Sequence, residues 1–212
     1  MRIRAFALVI GLAAALAACT APTSSTGQDD TDGPGAPSTP TPTVEAPEVD
    51  FSATLSPRSD ELVIEWSLRN RSAEEVLVTN RVPDSFGRLS DRPDTAYVVA
   101  ADDGGTEVAK RVFAVSSDAG GDGLPWIGVT PLPPGETLEE TLRVPLPPEA
   151  YAPPTVDAGD VPASGPVVFC VGVLVGRDAS WGFHDVDGVT TVNHGRAGTG
   201  QATFCSDPVE VG

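Results

Sequence analysis

The chain has little of what catalytic and metal-trafficking proteins are built from. Its single methionine is Met1, which excludes a methionine-rich copper carrier. It holds two histidines and three cysteines, and no CxxC spacing occurs among them. A GxSxG elbow, an HExxH helix and a GxxxxGKS/T loop are all missing. Ser180, His184 and Asp185 lie close together, but a catalytic triad is a matter of geometry that spacing does not supply. The chain is therefore expected not to be an enzyme, and no cofactor is expected. Basic residues are also scarce: Lys110 is the one lysine, and the formal net charge is -17. That charge repels nucleic-acid phosphates and anionic headgroups, so no nucleic acid is expected as a partner. Beyond the first eighteen residues no stretch keeps helical periodicity for three turns, and none is apolar for long enough to cross a bilayer.

One apolar run is present. Arg2 and Arg4 precede residues 5–16, which are almost wholly Ala, Leu, Val, Ile and Phe. That length suits the core of a signal peptide and falls short of a comfortable span. The run closes on Leu16-Ala17-Ala18-Cys19. These four residues resemble the lipobox of bacterial lipoproteins, in which cleavage before the cysteine leaves a thiol that carries a diacylglyceryl group. The resemblance implies a signal peptide over 1–18, a lipidated Cys19, and a mature chain on the extracytoplasmic face of the cell membrane. An ordinary secretory signal cut after Ala15-Leu16-Ala17 is the other reading. Loss of Arg2 and Arg4 with the signal takes the net charge from -17 to -19. Two acyl chains anchor a protein stably where one does so marginally.

Residues 19–47 carry Thr, Ser, Pro, Gly and Asp, no aromatic residue, and Val44 as the one large aliphatic. Such a segment cannot bury enough apolar surface to offset its ordering entropy, and a disordered linker is expected. Pro37, Pro40 and Pro42 stiffen its second half toward polyproline II. Asp29, Asp30 and Asp32 lie in that linker, without folded partner ligands for a cation.

Residues 48–212 have the length of one domain and a period of two. Leu62, Ile64, Trp66 and Leu68 alternate with Val63, Glu65 and Ser67, which makes a half-buried strand. Phe51, Ala53 and Leu55 give another before it. Further strands are expected at 76–78, 97–100, 108–115, 138–144, 167–175 and 201–211, with a hairpin turn at 102–105. Asn70-Arg71-Ser72 matches a glycosylation sequon but reads as turn chemistry. Short strands with Gly and Pro turns predict an all-β fold, a two-layer antiparallel sandwich. The order LVIEWSLRNRSAEEVLV, YVVAADDGGTEV, LPPGETLEETLRVPL is similar to bacterial immunoglobulin-like domains. It resembles most the layout of the BsuPI-type intracellular proteinase inhibitors, with Asn70 and Pro134-Gly135-Glu136-Thr137 at the matching places. The likeness covers roughly 51–146 and implies an immunoglobulin-like sandwich with inhibition of a proteinase as one possible activity. The lipid signal and the cysteine-bearing C-terminal part depart from that family.

With Cys19 acylated, Cys170 and Cys205 remain as a pair in an oxidising compartment, and a structural disulfide between them is expected. Between them, residues 177–200 form a Gly-rich loop holding His184, Asp185, Asp187 and His194, with Trp181 and Phe183. Histidine and carboxylate together suit zinc or copper, which makes those four the candidate metal ligands. A calcium loop fails: with Gly188 sixth, His194 falls twelfth, where an acidic ligand is required. The expected function is non-catalytic binding of an envelope or secreted protein through loops 145–166 and 177–200. Proteinase inhibition and metal binding through His184 and His194 are the alternatives.

Overall fold

The computed structural model describes residues 46–89, 94–115, 126–154 and 156–212. The expectations for the signal, for Cys19 and for the linker up to residue 45 lie outside the described residues, as does the segment 116–125.

The described chain is all-β. Its strands run β1 (Val49–Pro57), β2 (Glu61–Asn70), β3 (Val76–Arg81), β4 (Tyr97–Ala100), β5 (Thr106–Lys110), β6 (Trp126–Leu132), β7 (Thr137–Pro145), β8 (Gly165–Val175), β9 (His184–Val186), β10 (Val189–Asn193), β11 (Gln201–Cys205) and β12 (Val209–Val211). Three of them make a small antiparallel sheet in the order β1-β2-β7. The other nine make a larger sheet organised around β8. Cys170 and Val171 pair with β5 and β11 at once, and residues 172–174 pair with β3 and β11. Hence β5 and β3 lie end to end along one edge of β8, with β12 and β11 along the other. The pairing of β5 with β8 is parallel, so the larger sheet is mixed where a wholly antiparallel sandwich was expected. A parallel pair needs a long crossover, and the chain from 111 to 164 supplies it.

β8 is the most apolar strand because it is buried on both faces. Val167, Phe169, Val171 and Val173 face the small sheet and meet Ile64, Trp66, Leu68 and Leu142 in the core between the layers. Leu174 points the other way, into a second core with Leu77, Tyr97 and Ile127. The segments 145–166 and 177–200 cover that second core, the first through Tyr151 and Ala152 and the second through Trp181, Val192 and Ala197. Tyr151, Ala152 and Trp181 therefore lie on one face of the larger sheet, while Leu146 and Val161 of the first segment pack against the core between the sheets.

Four boundaries differ from the expected ones, and one is the strand expected over 201–211, which is two, β11 and β12, parted at residues 206–208. Residues 177–200 are not one loop, since β9 and β10 form a hairpin and β10 extends the sheet beyond β6. β6 has no clean alternation to read, because Gly128 and Pro131 interrupt it. A Cβ on Gly128 would stand 2.6 Å from Cβ of Arg81, so the close approach of β3 requires glycine there. The strand expected over 108–115 ends at Lys110, since the Val112 N–H donates to the Gln201 side chain and leaves the ladder.

Candidate functional site

Asn70, the residue that carried the family likeness, is a structural clamp. Its Nδ2 donates to the carbonyls of Glu74 (2.7 Å) and Leu132 (2.9 Å), and its Oδ1 accepts from the Ser72 N–H. Its backbone bonds both Gly135 and Glu136 in the turn before β7. The two motifs of the resemblance thus hold each other at one pole of the sandwich, the pole where β1 begins opposite Asn70. Asn70 is fully buried, so the turn reading of its sequon stands.

Cys170 and Cys205 form the expected disulfide, bridging directly paired residues of β8 and β11 with Cα atoms 4.2 Å apart.

The metal candidates separate. His194 is buried beneath Tyr97 and Phe113, and both ring nitrogens are engaged. Nδ1 accepts the Phe113 N–H at 3.0 Å, which puts the ring proton of the neutral imidazole on Nε2, 3.1 Å from the Tyr97 hydroxyl. Burial, and secondarily Arg111, pushes the His194 pKa down to about 4. Burial pushes the Tyr97 phenol far above its ordinary value. His184 and Asp185 are exposed on β9, where Asp185 accepts the Gly188 N–H at 3.0 Å. Asp187, at φ 52°, and Gly188, at φ 80°, are the two left-handed residues of the β9–β10 turn. Among the described residues no cluster of three His, Cys, Asp or Glu is placed to hold a metal ion.

At the opposite pole from Asn70 the surface turns concave and aromatic. Trp126, Tyr97, Tyr151, Pro83, Ala152 and Pro154 line much of a cleft of about 370 Å³. Trp126 opens β6 while Leu132, bonded to Asn70, closes it, so the two poles are about 20 Å apart along the strand. Tyr97 is the floor, its ring 5.5 Å from that of Tyr151, whose hydroxyl donates to the Pro83 carbonyl at 2.8 Å. Beside the cleft stands Phe86, 80% exposed, the only exposed large hydrophobic residue among those described. Its loop is held from within: Asp84 accepts the N–H groups of Phe86 and Arg88, both at 2.9 Å. Those bonds, the one from Arg88 foremost, hold the Asp84 carboxyl below its ordinary value. The Arg88 guanidinium lies over the Phe86 ring, 5.0 Å from its centroid. Sequence reasoning found the 145–166 side of this cleft but missed Phe86, because a lone aromatic in a polar turn carries no periodicity.

Comparison with protein-family models, with curated proteins and with solved structures finds no match.

Proposed function

We propose that this chain is a lipid-anchored, extracytoplasmic, non-catalytic binding module of immunoglobulin-like type, which captures an envelope or secreted protein at the pole bearing Phe86. The observation that carries the reading is Phe86 itself, held out to solvent on a loop pinned by Asp84, beside an aromatic cleft. An apolar ring presented this way contributes nothing to the core and matches the anchor residues of protein interfaces. The described chain enters the domain at the other pole, where Glu48 and Val49 pair beside Arg71 and Asn70. Crosslinking on intact cells, followed by mass spectrometry, tests it. One dominant envelope or secreted partner is expected, with capture at least tenfold weaker for Phe86→Ser. Equal capture by Phe86→Ser, or none by the native chain, rejects this pole as the binding surface.

The same loop favours proteinase inhibition as the second reading. An exposed side chain on a braced backbone is how a rigid inhibitor presents itself to a protease cleft. Slowing of a co-secreted protease by the native chain and not by Phe86→Ser would select it.

A further inference from the structure

The one lysine of the chain lies inside the sandwich. Lys110 is fully buried at the end of β5, and its Nζ donates to Oε2 of Glu140, in β7, at 3.2 Å. The other carboxylate oxygen of Glu140 accepts Nδ2 of Asn80, in β3, at 2.6 Å. Lys110 Nζ also reaches the Asn80 main-chain carbonyl at 3.1 Å, and the Thr130 hydroxyl, in β6, donates to Oδ1 of Asn80 at 2.8 Å. Four strands from both sheets thus bring an amine, an amide, a carboxylate and a half-buried hydroxyl into one cluster. Trp66, paired directly with Glu140 across β2 and β7, walls it, and its Nε1 has no hydrogen-bond partner among the described residues.

An ion pair in such a place is poorly explained by stability, because two buried charges lose about as much hydration as they gain in attraction. The cluster is better described as a set of reactants. We propose that Lys110 and Asn80 condense into an internal amide crosslink between β5 and β3, with Glu140 carrying the protons and Thr130 stabilising the carbonyl oxygen.

The chemistry balances without a co-reactant. Burial drives the Lys110 pKa down, while the opposing charge of Glu140 only partly restores it. Oε2 of Glu140, hydrogen-bonded to Nζ at 3.2 Å, takes a proton from it as the reaction begins, leaving a neutral amine and an uncharged carboxyl. Nζ attacks Cγ of Asn80, forming the Nζ–Cγ bond, and the negative charge on Oδ1 meets the Thr130 hydroxyl. Glu140 then gives its proton to Nδ2 and takes one from Nζ. The Cγ–Nδ2 bond breaks and ammonia leaves. Nζ retains one hydrogen, ammonia carries three, and the fifth stays on Glu140, so the product buries no charge. β5 and β3, which otherwise meet end to end along β8, become covalently joined.

The test uses the full chain purified from cells, reduced, denatured and digested with trypsin. The expected product is the peptide carrying Asn80 joined to that carrying Lys110, lighter than their sum by one ammonia and uncut at Lys110. Glu140→Gln is expected to give the two peptides separately. Thr130→Val alters a half-buried hydroxyl, leaves the ion pair in place, and is expected to slow crosslinking during refolding by about 100-fold. Separate native peptides cut normally at Lys110 would overturn the proposal, and full crosslinking in Glu140→Gln would overturn the role given to Glu140.

Discussion

The Tyr97 hydroxyl and Nε2 of His194 stand 3.1 Å apart, joining the floor of the aromatic cleft to the end of the segment that covers the second core. This pair ties domain stability to pH. A folded-state pKa of about 4 lies below the unfolded value of 6.5, so the unfolded chain binds the proton more readily. The stabilising contribution is complete above 6.5 and is lost as pH falls through 4. We expect about 3 kcal/mol to disappear across that window. His194→Gln should be less stable at neutral pH and lack this part of the slope. Urea midpoints of both chains at several pH values check it, and parallel slopes would reject it.

Loss of the Cys170–Cys205 bridge opens a cross-link of sequence separation 35. The double variant Cys170→Ser, Cys205→Ser is expected to lose about 3–4 kcal/mol. Its denaturant midpoint should be indifferent to reductant, while that of the native chain falls when reductant is added.

Gly172 is where side chains cross β8. A Cβ there would sit 2.0 Å from Oε1 of Gln201 and 2.6 Å from Oγ1 of Thr79. Gly172→Ala should displace the Gln201 side chain from the Val112 N–H, which it now accepts at 2.7 Å. A loss of about 1–3 kcal/mol is expected, read as a lower melting temperature.

Cys19 carries the proposed anchor. Cys19→Ser should move the chain from the membrane pellet to the soluble fraction after cell lysis, with its melting temperature unchanged. Retention in the pellet would remove the lipid from the reading.

How much of this the residues announced depends on the range of each contact. β2 and β7 are legible because most of their apolar residues keep a period of two, Leu62, Ile64, Trp66 and Leu68 in one and Leu138, Leu142 and Val144 in the other, and so is the Cys170–Cys205 pair, with three cysteines in the chain. β6 is hidden by Gly128 and Pro131, the first of them required by the close approach of Arg81 in β3 and not by local preference. The 177–200 stretch reads as a loop because its glycines break up its apolar residues, yet Trp181 and Val192 complete a core. His194 is a metal candidate by residue type alone, which says nothing of the hydrogen bonds that occupy both its nitrogens. The Lys110 cluster was invisible for a related reason. Its members lie 30 and 60 residues apart, and only the sandwich brings them together.

The position of β1 has a mechanical consequence. It is an edge strand of nine residues, antiparallel to β2, and it begins at the pole opposite Phe86. A pull between residue 48 and a partner held at Phe86 runs along the strands, so the β1–β2 ladder is loaded in shear. All of its hydrogen bonds then resist together, whereas a pull across the ladder would open them one at a time. A domain strung this way yields late under tension.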